Sequence, residues 1–315
     1  MKQTHTTTEA QQLLPADSRG HHGVISAVFQ RAGWWPTSYD ANEINAWSAA
    51  PAANLFWRHA APQTGEFVEY DRRLAYFAAL KQVRFAPQAE FFTVPGRRPD
   101  LTDALFFYTQ FDVTLETPAW VYHWIERSGA PVRRVIIAAE LYKFLRLRKW
   151  LQPVDHQDVE RAQTIVAQRP AWKFSALCKA LDERLACCAN CASAVKSDIA
   201  MLSGVLRQKK EADIAMEHRR AARWRPDIAA SIMALNMIAM LEEQERLAAK
   251  PIGVITDAWF LPAEDPHGLR ASENMPETPG CFRNKRSFVL QNMSFIDYHN
   301  AQIAAAQREK AQQHG

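Results

Sequence analysis

The sequence predicts a mainly α protein, a multi-helix bundle with a possible helix-turn-helix and a short C-terminal β-hairpin or extended arm. Glycine supplies 11 of 315 residues, about half of what an average usage of about 7% would give, which disfavours folds rich in hairpins and phosphate loops. Between Gly129 and Gly253 the only glycine is Gly204. The prolines of that stretch fall at spacings that suit helix ends. The middle of the chain is therefore predicted to be helical.

Four regions are predicted along the chain. Hydrophobic residues make up 48% of it, enough at this length for one large core or two modest ones. The regions are a mobile polar tail (1–20), a mixed but mostly helical part (21–112), a helical core with the helix-turn-helix at 158–210 (113–250), and a C-terminal arm with two short strands and a helical tail (251–315).

Capping residues and apolar spacing place the helices of the first half. Three helices are predicted there, from an acidic N-cap or from apolar residues at helical spacing, and one short strand is predicted between the second and the third. The predicted helices begin at Asp40, cover Tyr70–Val83 and begin at Asp100, and the strand is "EFFTV" at 90–94.

The helices of the second half have clearer ends. Thr117 is a predicted N-cap, with Pro118 at the first helical position and Gly129 just past the end. A longer helix is predicted over Pro131–Leu151, with an apolar stripe on one side. Further helices are predicted to begin at Asp155, to cover 172–186 and 193–210, and to follow Pro226, and strands are predicted at 253–261 and 286–295.

Two basic tracts lie in the predicted helical region. Residues 131–150 carry six basic residues and one acid, and residues 207–225 carry seven basic residues and three acids. The net charges of these two tracts are therefore +5 and +4, and the net charge of the whole chain is +4. Such tracts are either solvated helix faces or surfaces that contact phosphate. In the first tract, Lys143, Arg146 and Lys149 project opposite the apolar stripe.

The stretch "LACCANCASAVKSDIAML" holds three of the five cysteines, Cys187, Cys188 and Cys191. In one unbroken helix Cys188 and Cys191 would join the apolar stripe of Val195 and Ile199 as buried thiols. One unbroken helix also supplies at most two zinc ligands, and a single CxxC is a weak zinc signal. The predicted cofactor is therefore none, with zinc as the alternative.

A break at Asn190 gives a third interpretation, a helix-turn-helix whose second helix reads DNA. Serine side chains would approach base edges while basic side chains contact phosphates. The predicted nucleic-acid-binding residues are Ser193, Lys196, Ser197, Arg207, Lys209 and Lys210, with Lys143, Arg146 and Lys149 on the first basic tract.

An enzyme is the less favoured hypothesis. The chain contains no GxxxxGK, GxGxxG, GxSxG or HExxH motif, which are common signatures of nucleotide, dinucleotide, hydrolase and zinc-protease sites. The long polar segment 265–281 holds Asp265, His267, Arg270 and Cys281, and is a candidate loop for a metal-dependent or cysteine enzyme.

The function predicted from these patterns is nucleic-acid binding, with duplex DNA as the expected nucleic acid, as a regulator or an accessory protein in replication or transfer. The alternative is a helical scaffold that binds a protein partner, or a second copy of itself, through the C-terminal arm. A cytoplasmic location without membrane contact is expected. The N-terminus has no apolar h-region, and the longest apolar run, Ile228–Leu241, is shorter than the roughly 20 residues of a bilayer span.

Overall fold

The computed structural model describes residues 55–85, 91–96, 104–109, 111–118, 135–153, 163–167, 172–207, 226–247, 250–263 and 278–314. The strands within these ranges are β1 Leu55–Arg58, β2 Pro62–Arg72, β3 Arg84–Phe85, β4 Phe91–Pro95, β5 Ala104–Thr109, β6 Phe111–Val113, β7 Val135–Ala138, β8 Leu151–Pro153, β9 Gln163–Ala167, β10 Trp172–Lys173, β11 Gly253–Thr256, β12 Ala258–Pro262 and β13 Phe282–Ser294. The helices are α1 Ala75–Leu80, α2 Ala139–Leu147, α3 Ser175–Cys187, α4 Ala189–Arg207, α5 Pro226–Leu247 and α6 Phe295–His314.

The chain divides into two compact units. The first comprises residues 1–52, 74–116 and 129–238, and the second comprises 53–73, 117–128 and 239–315. The division falls between β2 and α1 on one side and within α5 on the other. Each unit is therefore assembled from stretches that lie far apart in the sequence.

The second unit is built on an antiparallel sheet of five strands in the order β1-β11-β12-β2-β13. The prediction of a mainly α bundle is wrong for this reason. The first unit adds a second antiparallel sheet, β4-β9-β5-β7. The described residues thus combine helices with antiparallel sheets, and strand β2 has a partner on both sides.

An aromatic cluster forms the core on one face of the five-stranded sheet. The ring centroids of Phe260 and Phe295 are 4.5 Å apart, and those of Phe288 and Tyr298 are 4.6 Å apart. Phe295, at the start of α6, is fully buried. The buried rings anchor the first turn of α6 to β12 and β13, since aromatic burial is a large apolar contribution.

A buried hydrogen bond joins strand β12 of this unit to α5. The indole Nε1 of Trp259 donates to the backbone carbonyl of Met240 at 3.2 Å, and the Trp259 side chain is fully buried. Its single polar group is therefore satisfied, as burial of a tryptophan requires.

The core of the first unit is helical. Side chains of α1, α3 and α4 and of the first turns of α5 pack together there. The buried members from the helices include Phe77 and Leu80 of α1, Cys178 and Leu181 of α3, Val195 and Ile199 of α4, and Ile228 and Ile232 of α5. The apolar stripe predicted for α4 is confirmed at Val195 and Ile199, which are 1% and 4% exposed.

Several predicted helices are shorter than expected or are strands. Within the predicted helix 70–83, the first residues are the end of strand β2, and only α1 is helical. Within the predicted helix 131–151, only α2 is helical, and it lies between strands β7 and β8. The helices predicted to begin at Asp100 and Asp155 start outside the described residues, and their described parts contain the strands β5 and β9. In each case pairing with a distant strand overrides the local apolar spacing, because sheet partners are not visible in a short window of sequence.

Other elements agree with the prediction. The short strand at 90–94 corresponds to β4, and the helices at 172–186, at 193–210 and after Pro226 correspond to α3, α4 and α5. The predicted tail 1–20, the helix beginning at Asp40 and most of the helix beginning at Thr117 lie outside the described residues.

The predicted C-terminal arm is part of the sheet. The segment 253–261 is not one strand but two, β11 and β12, joined by Thr256 and Asp257. Strand β12 pairs with one edge of β2 and β13 with the other. The helical tail predicted after these strands corresponds to α6, and binding of a protein partner through this region stays a prediction. Within the described ranges, no helix is both long enough and apolar enough to cross a membrane.

Candidate functional site

Strand β2 carries two acidic side chains toward basic residues of β13. Glu69 and Asp71 are two positions apart and so lie on the same face of the strand. Arg283 pairs with Asp71 in the register of the two strands, and its Nε donates to Asp71 Oδ1 at 2.9 Å. Glu69 is 5% exposed, so its charge requires partners nearby.

A bulge in β13 supplies those partners. The register passes from Asn284 to Arg286 against consecutive residues of β2, which leaves Lys285 as the extra residue. Its Nζ lies 2.6 Å from Glu69 Oε1 and 3.8 Å from Asp71 Oδ2, and Arg286 Nε donates to Glu69 Oε2. A bulge redirects side chains in this way, and here two adjacent cations reach one carboxylate.

The charge of Glu69 is held by this arrangement. Burial opposes its ionisation, but the hydrogen bonds and charges of Lys285 and Arg286 outweigh that effect and lower the pKa of Glu69. The carboxylate is therefore ionised at neutral pH. The three basic side chains keep 42–49% of their surface exposed, so they also face solvent.

A third acidic residue, Asp257, lies in the two-residue turn between β11 and β12. Thr256 precedes it with φ of 56°, and its hydroxyl donates to Asp257 Oδ1 at 2.8 Å. The backbone N–H of Arg72 donates to the Asp257 carbonyl at 2.8 Å. The turn is therefore fixed against the end of β2.

Asp257 lies beside the end of β2 that carries Asp71. Burial raises the pKa of Asp257, the hydrogen bond from Thr256 opposes that effect, and the charge of Asp71 raises the pKa further. In the register of β2 and β12, Asp71 pairs with Ala258, the residue next to Asp257. The carboxylates of Asp71 on β2 and of Asp257 in the adjacent turn thus lie at one end of the sheet.

Tyr70, between the two acids of β2, makes a separate set of contacts with α5. Its hydroxyl donates to Glu243 Oε1 at 2.8 Å, and Arg246 binds the same carboxylate at 2.6 Å. Burial and then the bond to Glu243 raise the pKa of Tyr70. Tyr70 therefore remains protonated and acts as a donor that ties the strand to the helix.

We name the group of Asp71, Asp257, Glu69, Arg283, Lys285 and Arg286 the acidic–basic cluster. Carboxylate oxygens are ligands for hard cations such as Mg²⁺, which proteins often bind through one or two carboxylates together with substrate phosphates. Lysine and arginine bind phosphate oxygens. The cluster thus contains groups suited to a divalent cation and to the phosphates of a nucleotide or nucleic acid.

The residues predicted for the second helix of a helix-turn-helix lie on α4. Ser193 and Lys196 are exposed, and Ser197 is half-buried. Arg207 is the last residue of α4, while Lys209 and Lys210 lie outside the described residues. The structure thus leaves two of these side chains accessible, and their contact with nucleic acid stays a prediction.

The residues predicted on the first basic tract lie on or just after α2. Lys143 and Lys149 are exposed, and Lys149 has φ of 60°. The guanidinium of Arg146 donates to the carbonyl of Leu151 at 2.6 Å. Arg146 therefore has a structural contact that links α2 to β8, and the two lysines are more accessible to a phosphate.

The three clustered cysteines meet where α3 and α4 join. The helices are separated by Cys188 alone, whose backbone is extended, so the break lies two residues before the predicted position at Asn190. Its Sγ accepts a hydrogen bond from the backbone N–H of Cys191 at 3.3 Å. The bond from the Cys191 backbone lowers the pKa of Cys188, and the bond to Cys188 raises the pKa of Cys191 to about 11.

Of the predicted enzyme loop, Cys281 is described and is half-buried. Asp265, His267 and Arg270 lie outside the described residues. No distance therefore joins the residues on which the cysteine-enzyme hypothesis depends.

The acidic–basic cluster was missed by the sequence analysis. One signal was present: Asp257 stands inside the apolar run 252–261, and an acid there disfavours one continuous buried strand and favours a turn. No comparable signal identified Glu69 and Asp71, because their partners lie more than 200 positions away.

Comparisons with known proteins identify a fold similar to that of a DNA polymerase. No protein-family model matches the sequence, and no curated protein matches it. The solved structures to which it is similar include several of Phi29 DNA polymerase. The complex with primer-template DNA and incoming nucleotide substrates has a TM-score of 0.62 at 12% identity, and the binary complex with primer-template DNA has 0.60 at 11%.

The chain spans about half the length of that polymerase. The first comparison covers 88% of this chain and 54% of the polymerase chain, and the second covers 84% and 52%. The complex with single-stranded DNA gives a TM-score of 0.60 at 12% identity, with 84% and 52% coverage. At these identities the likeness establishes the fold alone, because one fold hosts many functions.

Proposed function

We propose that this protein binds nucleic acid and that the acidic–basic cluster takes part in nucleotidyl transfer at a strand end. The observation that carries the proposal is the pair Asp71 and Asp257, brought to one end of the sheet by β2 and by the turn after β11. The fold similarity to a DNA polymerase raises the expectation of such a role, while the site supplies its chemistry.

The two carboxylates fit a divalent cation. They are hard oxygen donors. A cation between them would offset the burial and the nearby charge of Asp71, both of which raise the pKa of Asp257. A cation held there would neutralise charge on the reacting phosphate, as in two-metal phosphoryl-transfer sites. Asp71 and Asp257 would hold that ion, and the hydroxyl of Thr256 would keep the Asp257 carboxylate in place.

The basic residues of β13 would bind phosphates. Arg283, Lys285 and Arg286 balance Glu69 and Asp71, and close to half of each side chain faces solvent. An ammonium has three donors and a guanidinium five, so each exposed side chain can contact a phosphate while it keeps its carboxylate partner. Additional contacts for nucleic acid are proposed on the first unit, at the exposed residues Lys143, Lys149, Ser193 and Lys196.

A binding experiment tests the first part of the proposal. The full chain is titrated onto a labelled primer–template duplex at several salt concentrations, and affinity is expected to fall as salt rises, because phosphate contacts release counterions. Replacing Lys285 and Arg286 with alanine should weaken binding and flatten this dependence. Absence of binding at low salt would overturn the whole proposal.

A primer-extension experiment with Mg²⁺ or Mn²⁺ and deoxynucleotides tests the second part. Asp71→Asn and Asp257→Asn should abolish extension and reduce Mn²⁺ binding measured by calorimetry, while binding to the duplex persists. Asp182→Asn is the matched control, since Asp182 pairs with Lys81 on the surface of the first unit. Duplex binding without extension or Mn²⁺ binding would restrict the function to nucleic-acid binding.

A further inference from the structure

The junction of α3 and α4 brings three thiols together. The Sγ atoms of Cys187, Cys188 and Cys191 all lie within 4.8 Å of one another. An unbroken helix would not bring all three into one group, and the extended backbone at Cys188 is what changes the geometry. The last residue of one helix, the linking residue and the third residue of the next helix therefore contribute to one cluster.

We propose that these three cysteines form a binding site for a thiophilic metal ion, with Zn²⁺ as the ion used to test it. A zinc–sulfur distance of about 2.3 Å in a tetrahedral site places the sulfurs about 3.8 Å apart. The observed cluster is within about 1 Å of that arrangement. Three thiolates with one open position constitute a recognised donor set for a soft ion.

The surroundings suit an ion that keeps contact with solvent. Cys187 is exposed, and Cys188 and Cys191 are half-buried, so water can reach the fourth position. The donors also have a supporting contact, because the backbone N–H of Cys191 points at the Cys188 sulfur. Backbone hydrogen bonds of this kind orient the ligands of a metal site.

A bound ion would link the two helices through their ends. Leu181 of α3 and Val195 of α4 already pack in one core, and the ion would fix the one-residue connection between the helices. Each thiol that binds as a thiolate releases its proton to the solvent. Binding to the folded state should also raise the thermal midpoint, since a ligand of the native state stabilises it. The site is independent of the acidic–basic cluster.

The test uses the full chain, reduced and freed of metal, with its thiols counted before titration. Zn²⁺ is titrated against a chromophoric chelator, and Co²⁺ is used as a spectroscopic probe of sulfur ligation. One equivalent per chain, a thiolate-to-cobalt charge-transfer band and a higher thermal midpoint with Zn²⁺ are expected. Absence of stoichiometric binding by fully reduced protein would overturn the proposal.

Single serine variants identify the ligands. Cys187→Ser, Cys188→Ser and Cys191→Ser should each weaken Zn²⁺ binding at least tenfold. Serine at 188 preserves an N-cap for α4, so loss of binding there is separable from loss of the helix, which circular dichroism checks. Cys281→Ser is the matched control because Cys281 is half-buried and outside the cluster. Equal losses in the control and the three variants would contradict the assignment.

Discussion

Lys285 Nζ contacts Glu69 Oε1 at 2.6 Å and is much farther from Asp71, at 3.8 Å from its Oδ2. The bulge of β13 thus directs its extra residue mainly to the more buried acid. Glu69 is 5% exposed and Asp71 is half-buried. The two acids of β2 therefore differ in role: Glu69 is the buried anchor of the β2–β13 pair, and Asp71 is the more accessible carboxylate.

This difference predicts unequal effects on stability. Glu69→Gln should lower the free energy of unfolding by about 1–3 kcal/mol, because a neutral amide at this buried position no longer forms ion pairs with Lys285 and Arg286. Asp71→Asn should change it by less than about 1 kcal/mol, because its main pair is with a half-exposed arginine and the repulsion with Asp257 is relieved. Urea denaturation at neutral pH measures both. A larger loss for Asp71→Asn than for Glu69→Gln would contradict the assignment.

Gly253 predicts a steric conflict in the aromatic core. A Cβ at this position would lie 2.2 Å from Cε1 and 2.5 Å from Cδ1 of Phe295, a ring that is fully buried against Phe260. Gly253→Ala should therefore destabilise the protein by about 1–3 kcal/mol or more. Thermal or urea unfolding provides the measurement.

The smaller side chain in Phe295→Leu provides the control for that prediction. The double variant Gly253→Ala with Phe295→Leu should be more stable than the sum of the two single losses indicates, because the methyl group gains space. Strict additivity of the two effects would show that the ring is not the obstacle.

His299 predicts a loss of stability on acidification. Burial lowers its pKa, and the charges of Arg58 and Arg286 lower it further, while Arg58 Nη1 lies 3.3 Å from its Nδ1. The folded protein therefore binds this proton less readily than the unfolded chain. Its contribution is complete above the unfolded pKa of about 6.5 and declines as the pH falls below that value.

The pH dependence is measured by urea unfolding at values from about 7.5 down to about 5, around the histidine range. His299→Gln keeps an acceptor for Arg58 but does not titrate, so the decline on acidification should be smaller in this variant. An unchanged decline would assign the dependence to other groups.

The two faces of α4 predict opposite mutational effects. Ile199 is 4% exposed in the helical core, so Ile199→Ala should cost about 2–5 kcal/mol. Lys196 is exposed, and Lys196→Ala should change stability by no more than about 0.5 kcal/mol while weakening binding to a duplex. Reduced stability without reduced binding in Lys196→Ala would remove this residue from the proposed contacts.

The sequence allowed the helices α3, α4 and α5 to be predicted because their apolar spacing is local and their ends carry proline or polar residues. Strand β2 was not predicted, since Phe67, Val68, Glu69 and Tyr70 are buried in succession. A strand with neighbours on both sides and contacts on both faces shows no alternation of polar and apolar residues. The helical spacing of the following α1 was consequently extended back over it.

The candidate sites depend on geometry that a sequence window does not contain. Glu69 and Lys285 are 216 positions apart, and the bulge that brings them together has no glycine to mark it. The cysteines were recognised as a group, but the one-residue break at Cys188 has neither glycine nor proline. The zinc hypothesis therefore assumed two ligands from a continuous helix, whereas the structure brings three cysteine sulfurs together.

The order of strands constrains when the second unit can form during synthesis. Strand β2 leaves the ribosome before its two neighbours, β12 and β13, which are encoded 186 or more positions later. At typical elongation rates of about 5–20 residues per second, β2 waits for about 10 to 40 seconds with both hydrogen-bonding edges unpaired. A nascent chain stalled before Ala258 thus presents an unmatched strand, and such a strand is the kind of segment that chaperones must shield from aggregation.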